Sequence, residues 1–332
     1  MIRFGVIGTN WITEAFIDAA RDVEGFALAA VYSRAEETAS AFAAKHGIAH
    51  MFTDVEKMAA SGAIDAVYIA SPNSFHAAHA IVCMNKGIHV LCEKPIASNA
   101  DEVRQMIAAA KENDVLLMEA LKSTLLPSFK SIEENIHKIG TVRRYFASYC
   151  QYSSRYDAYK AGKVLNAFNP AFSNGAMMDL GVYCLYPLVA LFGKPDVVKA
   201  AGVMLESGVD GEGSIVLQYP AMDAVIMYSK ITHSSLPSEI QGENGSIVIN
   251  KISEADKVEI HYRNGTVEDI SRPTGSKSMF YEAKEFIELI QAGRTESQVN
   301  TFANSLTTME IMDEARRQIG LTYPADKAGR IS

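Results

Sequence analysis

The stretch FGVIGTNWIT, residues 4–13, decides the fold. A short apolar run, Phe4 to Ile7, enters Gly8, and a helical pattern starts near Thr13. A strand, a glycine turn and a helix start place backbone N–H groups where they hold a pyrophosphate. The full fingerprint, G-x-G-x-x-G/A, wants a second glycine and a small residue further on. Asn10 and Thr13 stand there instead. A tight turn of any α/β protein fits the local pattern equally well. Gly8 meets the strictest steric demand of the turn. Asparagine is among the few residues that accept a left-handed backbone, and the Asn10 amide is a candidate donor to a phosphate or ribose oxygen. Thr13 is small enough for a helix–strand contact and is a candidate cap. Trp11, the single tryptophan, is expected at the mouth of the turn, alongside Thr9 and Ile12.

Outward from this turn the first third of the chain alternates. Apolar runs at Phe4–Ile7, Ala27–Tyr32, Ala66–Ala70, His89–Cys92 and Val115–Met118 read as strands buried on both faces of a parallel sheet. Helical patterns lie between them, at Thr13–Arg21, Ala35–His46, Phe75–Lys86 and Asn99–Asn113. Gly47, Gly62 and Gly87 fall where helices should stop, and Ser98-Asn99 offers capping side chains. This is the order of an open α/β sheet, whose ligands bind at the carboxyl ends of the strands.

The character changes after about residue 122. A helix over Pro127–Lys138, a strand over Val142–Tyr152 and a polar, tyrosine-bearing loop from Ser153 to Asn174 follow. Met177–Phe192 reads as a hydrophobic helix. From Val197 to Ile270 short alternating strands are broken by turn signals, among them Gly242–Gly245 and the hairpin pair Asn264-Gly265. Helices over Met279–Gln291 and Phe302–Ile319 close the chain. Two domains are expected, a dinucleotide-binding domain over 1–122 and a substrate-binding and oligomerisation domain over 123–332, the second α+β on a mostly antiparallel sheet, with the C-terminal helix a candidate to pack back on the first domain.

Composition narrows the function. The chain has 332 residues, 48% hydrophobic and 21% charged, with a formal net charge of -8. That balance argues against a nucleic-acid partner. No uninterrupted apolar run reaches the length of a membrane span, and no signal peptide is read. Cys83, Cys92, Cys150 and Cys184 sit in apolar stretches without C-x-x-C spacing. Free thiols, a cytoplasmic location and no metal site are therefore expected.

Several side chains carry chemistry. The second strand ends at Ser33-Arg34, where an NAD site would place an acid. A hydroxyl and a guanidinium suit a 2′-phosphate, so NADP(H) is favoured over NAD(H). Ser71-Pro72-Asn73 with His76 follows one strand, and Glu93-Lys94-Pro95 follows another. A lysine at a strand's carboxyl end faces the crevice and is a candidate for proton transfer. Asp179 and Tyr183 lie four apart on an apolar helix and share a face. A carboxylate and a phenol there need partners, which points to a polar pocket.

In this order and spacing these elements resemble the Gfo/Idh/MocA oxidoreductases along the whole length. The matching features are the glycine turn, Ser71-Pro72-Asn73 with His76, Glu93-Lys94-Pro95, Glu119-Ala120, Gly175 through Tyr183, and the closing stretch Met309–Pro324. The resemblance implies a Rossmann domain joined to a domain with a large open sheet. It also implies hydride transfer between a nicotinamide cofactor and a secondary alcohol or ketone of a sugar, cyclitol or cyclic diol. Lys94 matches the family's catalytic lysine, Asp179 the aspartate of its D-x-x-x-H/Y motif, and Tyr183 that motif's last place. Tyrosine there is similar to the dihydrodiol dehydrogenase and glucose–fructose oxidoreductase branches. The implied roles are Tyr183 as acid/base, Lys94 lowering its pKa or sharing its proton, and Asp179 orienting the pair. Gly8, Thr9, Asn10, Trp11, Ile12, Ser33, Arg34, Ser71, Pro72, Asn73, His76, Glu93 and Lys94 are the candidate cofactor contacts. Asn166 and Asn169, with Lys94, Asp179 and Tyr183, are the candidate substrate contacts; Arg155 and Tyr156 share the loop without an assigned role. Thr124 stands where the family often has an arginine. A homodimer or higher homo-oligomer through the C-terminal sheet is implied as well. The alternative is a non-catalytic dinucleotide sensor on the same fold.

Overall fold

The computed structural model describes residues 1–275 and 277–328, and the chain divides into two compact units. Residues 276 and 329–332 of the expected domains lie outside the described residues. Of the described residues, the first unit comprises 1–121 and the returning segment 277–305, and the second comprises 122–275 and 306–328.

The first unit is a six-stranded parallel sheet. Its strands are β1 (Ile2–Ile7), β2 (Phe26–Tyr32), β3 (His50–Phe52), β4 (Ala66–Ile69), β5 (His89–Glu93) and β6 (Leu117–Ala120), in the order β3-β2-β1-β4-β5-β6. The strand order reverses between β1 and β4, which is the switch point where doubly wound sheets take ligands. β4 is buried at every residue, and so is the second half of β1, as expected of strands covered on both faces. The helices are α1 (Trp11–Ala20), α2 (Glu36–His46), α3 (Val55–Ala60), α4 (His76–Met84) and α5 (Ala100–Glu112). Gly47 ends α2 in the left-handed conformation, and Asn99 Oδ1 caps α5 by accepting from Glu102 N.

Neither β3 nor α3 shows in the sequence pattern. β3 is a three-residue edge strand, too short to show periodicity. The boundary after residue 122 also leaves out the returning segment. Its helix, Phe280–Gln291, buries Ala283, Phe286 and Ile287, and the Phe286 ring lies 5.9 Å from that of Phe4 in β1. Asn300 Nδ2 then donates to Glu119 O and Leu121 O, closing off the end of β6.

The second unit is an eight-stranded sheet: β7 (Val142–Cys150), β8 (Val197–Met204), β9 (Asp210–Gln218), β10 (Asp223–Ser229), β11 (Ser238–Gly242), β12 (Gly245–Ile249), β13 (Val258–Tyr262) and β14 (Val267–Asp269). The order is β14-β13-β12-β11-β7-β10-β9-β8. Every neighbouring pair is antiparallel except β7 with β10, which is parallel. Asn264-Gly265 makes the hairpin its sequence announces, and the turn signal at 242–245 joins another antiparallel pair, β11 and β12.

One face of this sheet is packed, with Tyr145, Ala147, Ile215, Leu217, Ile226, Ile240 and Ile260 buried. The hydrophobic helix expected over Met177–Phe192 is two pieces, a π-helical turn at Met177–Gly181 and an α-helix at Val182–Phe192. Tyr145 donates its hydroxyl to Cys184 O, fixing this helix to the sheet. The stretch Pro170–Phe192 is long and apolar enough to cross a membrane by composition, yet 72% of its apolar window is buried. Its length therefore reflects a core role. All four cysteines are free and buried.

Candidate functional site

In the first unit the candidate residues line the carboxyl edge of the parallel sheet. Gly8 follows β1 with φ +111°, and a Cβ there would stand 2.7 Å from Ala70 O. Only glycine fits where β1 and β4 end so close together. Asn10 does something other than expected. Its backbone is extended, at φ -88° and ψ 175°, so left-handed tolerance plays no part. Its Oδ1 accepts from Ile12 N (3.1 Å) and Thr13 N (3.2 Å), and its Nδ2 donates to Ala70 O (2.8 Å). One side chain caps α1 and ties the turn to the residue that follows β4. The cap is thus Asn10. Thr13 lies inside the helix, fully buried, with its hydroxyl on Asn10 Oδ1 (3.3 Å). Trp11 is exposed, at 69%.

The neighbouring strand ends complete this edge. Ser33 is held by its N–H on Phe52 O (3.1 Å), half-buried, and Arg34 is exposed after it. Pro72 and Asn73 open a short 3-10 turn, Asn73–Phe75, before α4. His76 is the first residue of α4 and is buried between two carbonyls, Pro95 O at 2.9 Å and Ser71 O at 2.7 Å. It clips the β4 and β5 loops together, and burial lowers its pKa.

His79, one turn on, carries no signal in the sequence that marks it as part of this edge. Its Nδ1 lies 3.1 Å from Ser71 Oγ, and its ring stacks on Phe75 and meets the Tyr32 edge. Burial, then His76 and Arg34, bring its pKa to about 4, so it is neutral. A helix N-terminus, a serine hydroxyl and an arginine on one sheet edge fit an anionic dinucleotide.

At the β5 end the Tyr68 hydroxyl donates to Glu93, and Lys94 N donates to Glu93 Oε2 (3.2 Å). Lys94 is half-buried and precedes a cis bond to Pro95. Behind it Glu119 is buried and accepts from Ile96 N (3.0 Å). Burial pushes its pKa up to about 7, against hydrogen bonds from Ser305 and Ile96. The two carboxyls brace the loop carrying Lys94 from β5 and β6.

In the second unit Asp179 lies in the π-helical turn and Tyr183 in the first turn of the helix after it. A π turn in an α-helix is a common mark of a functional site. The segment is anchored from below. Asp210 is fully buried and accepts from Ala176 N (3.1 Å) and Met177 N (2.7 Å). Burial raises its pKa to about 6. Gly175, at φ +145°, leaves the space Asp210 needs, for a Cβ would meet Asp210 Oδ1 at 2.0 Å. Asp179 is paired with Lys230 (2.9 Å), and the Tyr183 ring meets the Tyr149 ring at 5.7 Å.

Neither Lys230 nor Asp210 shows in the sequence, since each lies in a strand-rich region far from Asp179 in the chain. The loop asparagines are placed differently. Asn169 Oδ1 accepts from Ala171 N (3.0 Å) and caps a short turn, while Asn166 is exposed. Tyr156 packs against Tyr159 and Phe168 at the edge of a small core, and Arg155 is exposed. Thr124 is buried in the short turn Lys122–Leu125.

Known proteins match both units. Residues 2–121 fit the description "Oxidoreductase family, NAD-binding Rossmann fold", and residues 135–248 fit "GFO/IDH/MocA C-terminal domain". Over 328 residues the chain is 59% identical to scyllo-inositol 2-dehydrogenase (NADP(+)) IolU of Bacillus subtilis, covering 99% of this chain and 100% of the relative. It is 30% identical over 342 residues to trans-1,2-dihydrobenzene-1,2-diol dehydrogenase of Mus musculus, covering 98% and 99%. Among solved structures, aldose-aldose oxidoreductase from Caulobacter crescentus superposes with a TM-score of 0.85 at 19% identity, covering 99% and 98%, and shares the fold.

Proposed function

The chain belongs to the Gfo/Idh/MocA oxidoreductases and is an NAD(P)-dependent dehydrogenase acting on a CH–OH group; we propose that its substrate is a cyclitol, with scyllo-inositol the first choice and NADP+ the preferred cofactor. The observation that carries this reading is the 59% identity, over 99% of the chain, to a scyllo-inositol 2-dehydrogenase that uses NADP+. Ser33 and Arg34 at the end of β2 support the cofactor choice independently, because a guanidinium binds phosphate oxygens with a fork of donors.

The roles follow from chemistry. The Tyr183 phenol takes the proton of the reacting hydroxyl, and returns it when the ketone is reduced. The Lys94 ammonium favours the phenolate, because an opposite charge stabilises the ionised form, or shares its proton. The Asp179 carboxylate orients the proton-transfer pair. When bound, the nicotinamide supplies the hydride acceptor. Asn10, by capping α1 and tethering Ala70, holds the turn that receives the dinucleotide. Glu93 and Glu119 fix the loop that carries Lys94.

Two further proposals go with this reading. The open face of the second sheet carries the row Val216, Val225 and Phe146 in register across β9, β10 and β7. Val197, Val203 and Val216 are exposed on β8 and β9. Such a surface supports a homodimer or larger homo-oligomer through this sheet, which sedimentation velocity checks. Four free buried thiols support a cytoplasmic site of action.

The function is tested by incubating the enzyme with NADP+ or NAD+ and a panel of inositols, aldoses and cyclic diols. Reduced cofactor should accumulate fastest with scyllo-inositol and NADP+. Turnover of aldoses or diols with no turnover of any inositol would refute the cyclitol assignment.

A further inference from the structure

Lys230 is the most deeply buried lysine side chain among the ion pairs of the described residues, at 3% exposure. It stands immediately after β10. A lysine is almost never fully buried unless it is paired, since leaving an ammonium without partners in the interior is costly. Here its Nζ is 2.9 Å from Asp179 Oδ2, donates to Ala167 O at 3.1 Å, and lies 5.2 Å from the centre of the Phe168 ring. The ammonium has a carboxylate, a carbonyl and an aromatic face around it.

Its backbone is fixed as firmly. Lys230 N donates to Gly211 O (2.9 Å), and Lys230 O accepts from Ser153 N (2.8 Å). The residue sits where the single parallel strand pair of this sheet ends, with Ser229 of β10 opposite Cys150 of β7. The other strand of that pair supplies Tyr149, whose ring braces Tyr183 edge-on at 65°. The paired strand ends therefore hold both members of the i, i+4 pair, Lys230 on Asp179 and Tyr149 on Tyr183. Asp210, below the same segment, fixes its entry through Ala176 N and Met177 N. Asp179 itself is 39% exposed, so one side of its carboxylate is held by a buried cation while the group still reaches the surface.

We propose that Lys230 is a positioning residue for the dehydrogenase reaction: its buried ammonium fixes the Asp179 carboxylate, and through it the Asp179–Tyr183 pair, in the orientation that proton transfer needs. The inference rests on the roles assigned above to Asp179 and Tyr183. It adds a residue that touches neither substrate nor cofactor and acts through Asp179. A packing role alone would affect stability, whereas a positioning role affects kcat through one named partner.

The test is a double-mutant cycle with scyllo-inositol and NADP+, comparing the wild type, Lys230→Met, Asp179→Asn and the double variant. Lys230→Met should lower kcat by about a hundredfold, the scale of a misplaced catalytic group, and leave the KM for NADP+ within about twofold. In the Asp179→Asn background the same substitution should cost less than about threefold, because its effect passes through the carboxylate already removed. A kcat close to the wild type, or an equal loss in both backgrounds, overturns the proposal. If Lys230→Met does not fold, Lys230→Gln keeps a donor toward Ala167 O and should still lose at least about tenfold in kcat; wild-type turnover would overturn the proposal equally. Lys94→Ala and Tyr183→Phe belong in the same assay. If they lose turnover and Lys230→Met does not, only the role of Lys230 falls. If they keep turnover, the roles of Asp179 and Tyr183 fall, and that of Lys230 with them.

Discussion

The two units build their polar groups by different means. In the first, the groups at the sheet edge are placed by the local order of strand, turn and helix: Gly8 follows β1, Asn10 caps α1, and Lys94 follows β5. In the second, Asp179 and Tyr183 are placed by partners far along the chain. Asp210 holds the segment's N-terminus, Lys230 holds the carboxylate, and Tyr149 braces the ring. A parallel α/β sheet repeats one unit, so each strand end is a site in the making. An antiparallel sheet with one packed face offers no such rule, and its site depends on long-range pairing.

The contrast can be pressed first at Glu119. Its folded pKa is raised by burial to about 7. Between roughly pH 4.5 and 7 the folded chain keeps a proton that the unfolded chain has lost, so stability falls as pH rises through that window. The loss amounts to about 3 kcal/mol once Glu119 is ionised in both states. Glu119→Gln keeps the acceptor for Ile96 N and removes the ionisation. Its melting temperature relative to the wild type should climb from pH 5 to pH 8. A difference that stays constant with pH would show that Glu119 is not the buried acid described. Asp210, at about 6, is the second unit's counterpart, and its slope should end about one unit lower in pH.

A smaller effect separates the units directly. Gly8→Ala forces a Cβ toward Ala70 O in a backbone conformation that costs about 2 kcal/mol or more for a side-chain-bearing residue. The variant should bind NADP+ weakly, while the second unit's helices and sheet keep their hydrogen-exchange protection. Loss of protection in both units together would mean that the turn supports the whole molecule. Smaller still, Arg34→Ala should raise the KM for NADP+ about tenfold and leave that for NAD+ nearly unchanged, as expected when one charge-assisted hydrogen bond to phosphate is removed. Equal weakening of both would remove Arg34 from the 2′-phosphate.

What is legible in the sequence follows the same division. The parallel sheet is readable because its buried strands are short apolar runs set off by Gly47, Gly62 and Gly87. In the second sheet a hairpin is readable at Asn264-Gly265 and a turn at Gly242–Gly245. β3 escapes because three edge residues show no period. The return of 277–305 to the first unit escapes because nothing in the amphipathic helix Phe280–Gln291 names the face it packs on. Asn10 occupies the place of the fingerprint's second glycine, and what its side chain does there is not legible in the sequence. Its side chain caps and tethers, which depends on Ala70 at the end of a different strand. Asp179 and Tyr183 stand out as polar groups in an apolar helix. Their partner Lys230 does not, because a lysine after a strand reads as solvated until the fold buries it.

The central claim is that Lys94 and Tyr183 carry the proton of a cyclitol hydroxyl. Steady-state kinetics of Lys94→Ala and Tyr183→Phe with scyllo-inositol and NADP+, beside direct titration of NADPH binding, test it most directly. The account predicts a fall in kcat of about a hundredfold or more in each variant, with NADPH affinity within about threefold of the wild type. Near-normal kcat in both variants would contradict it.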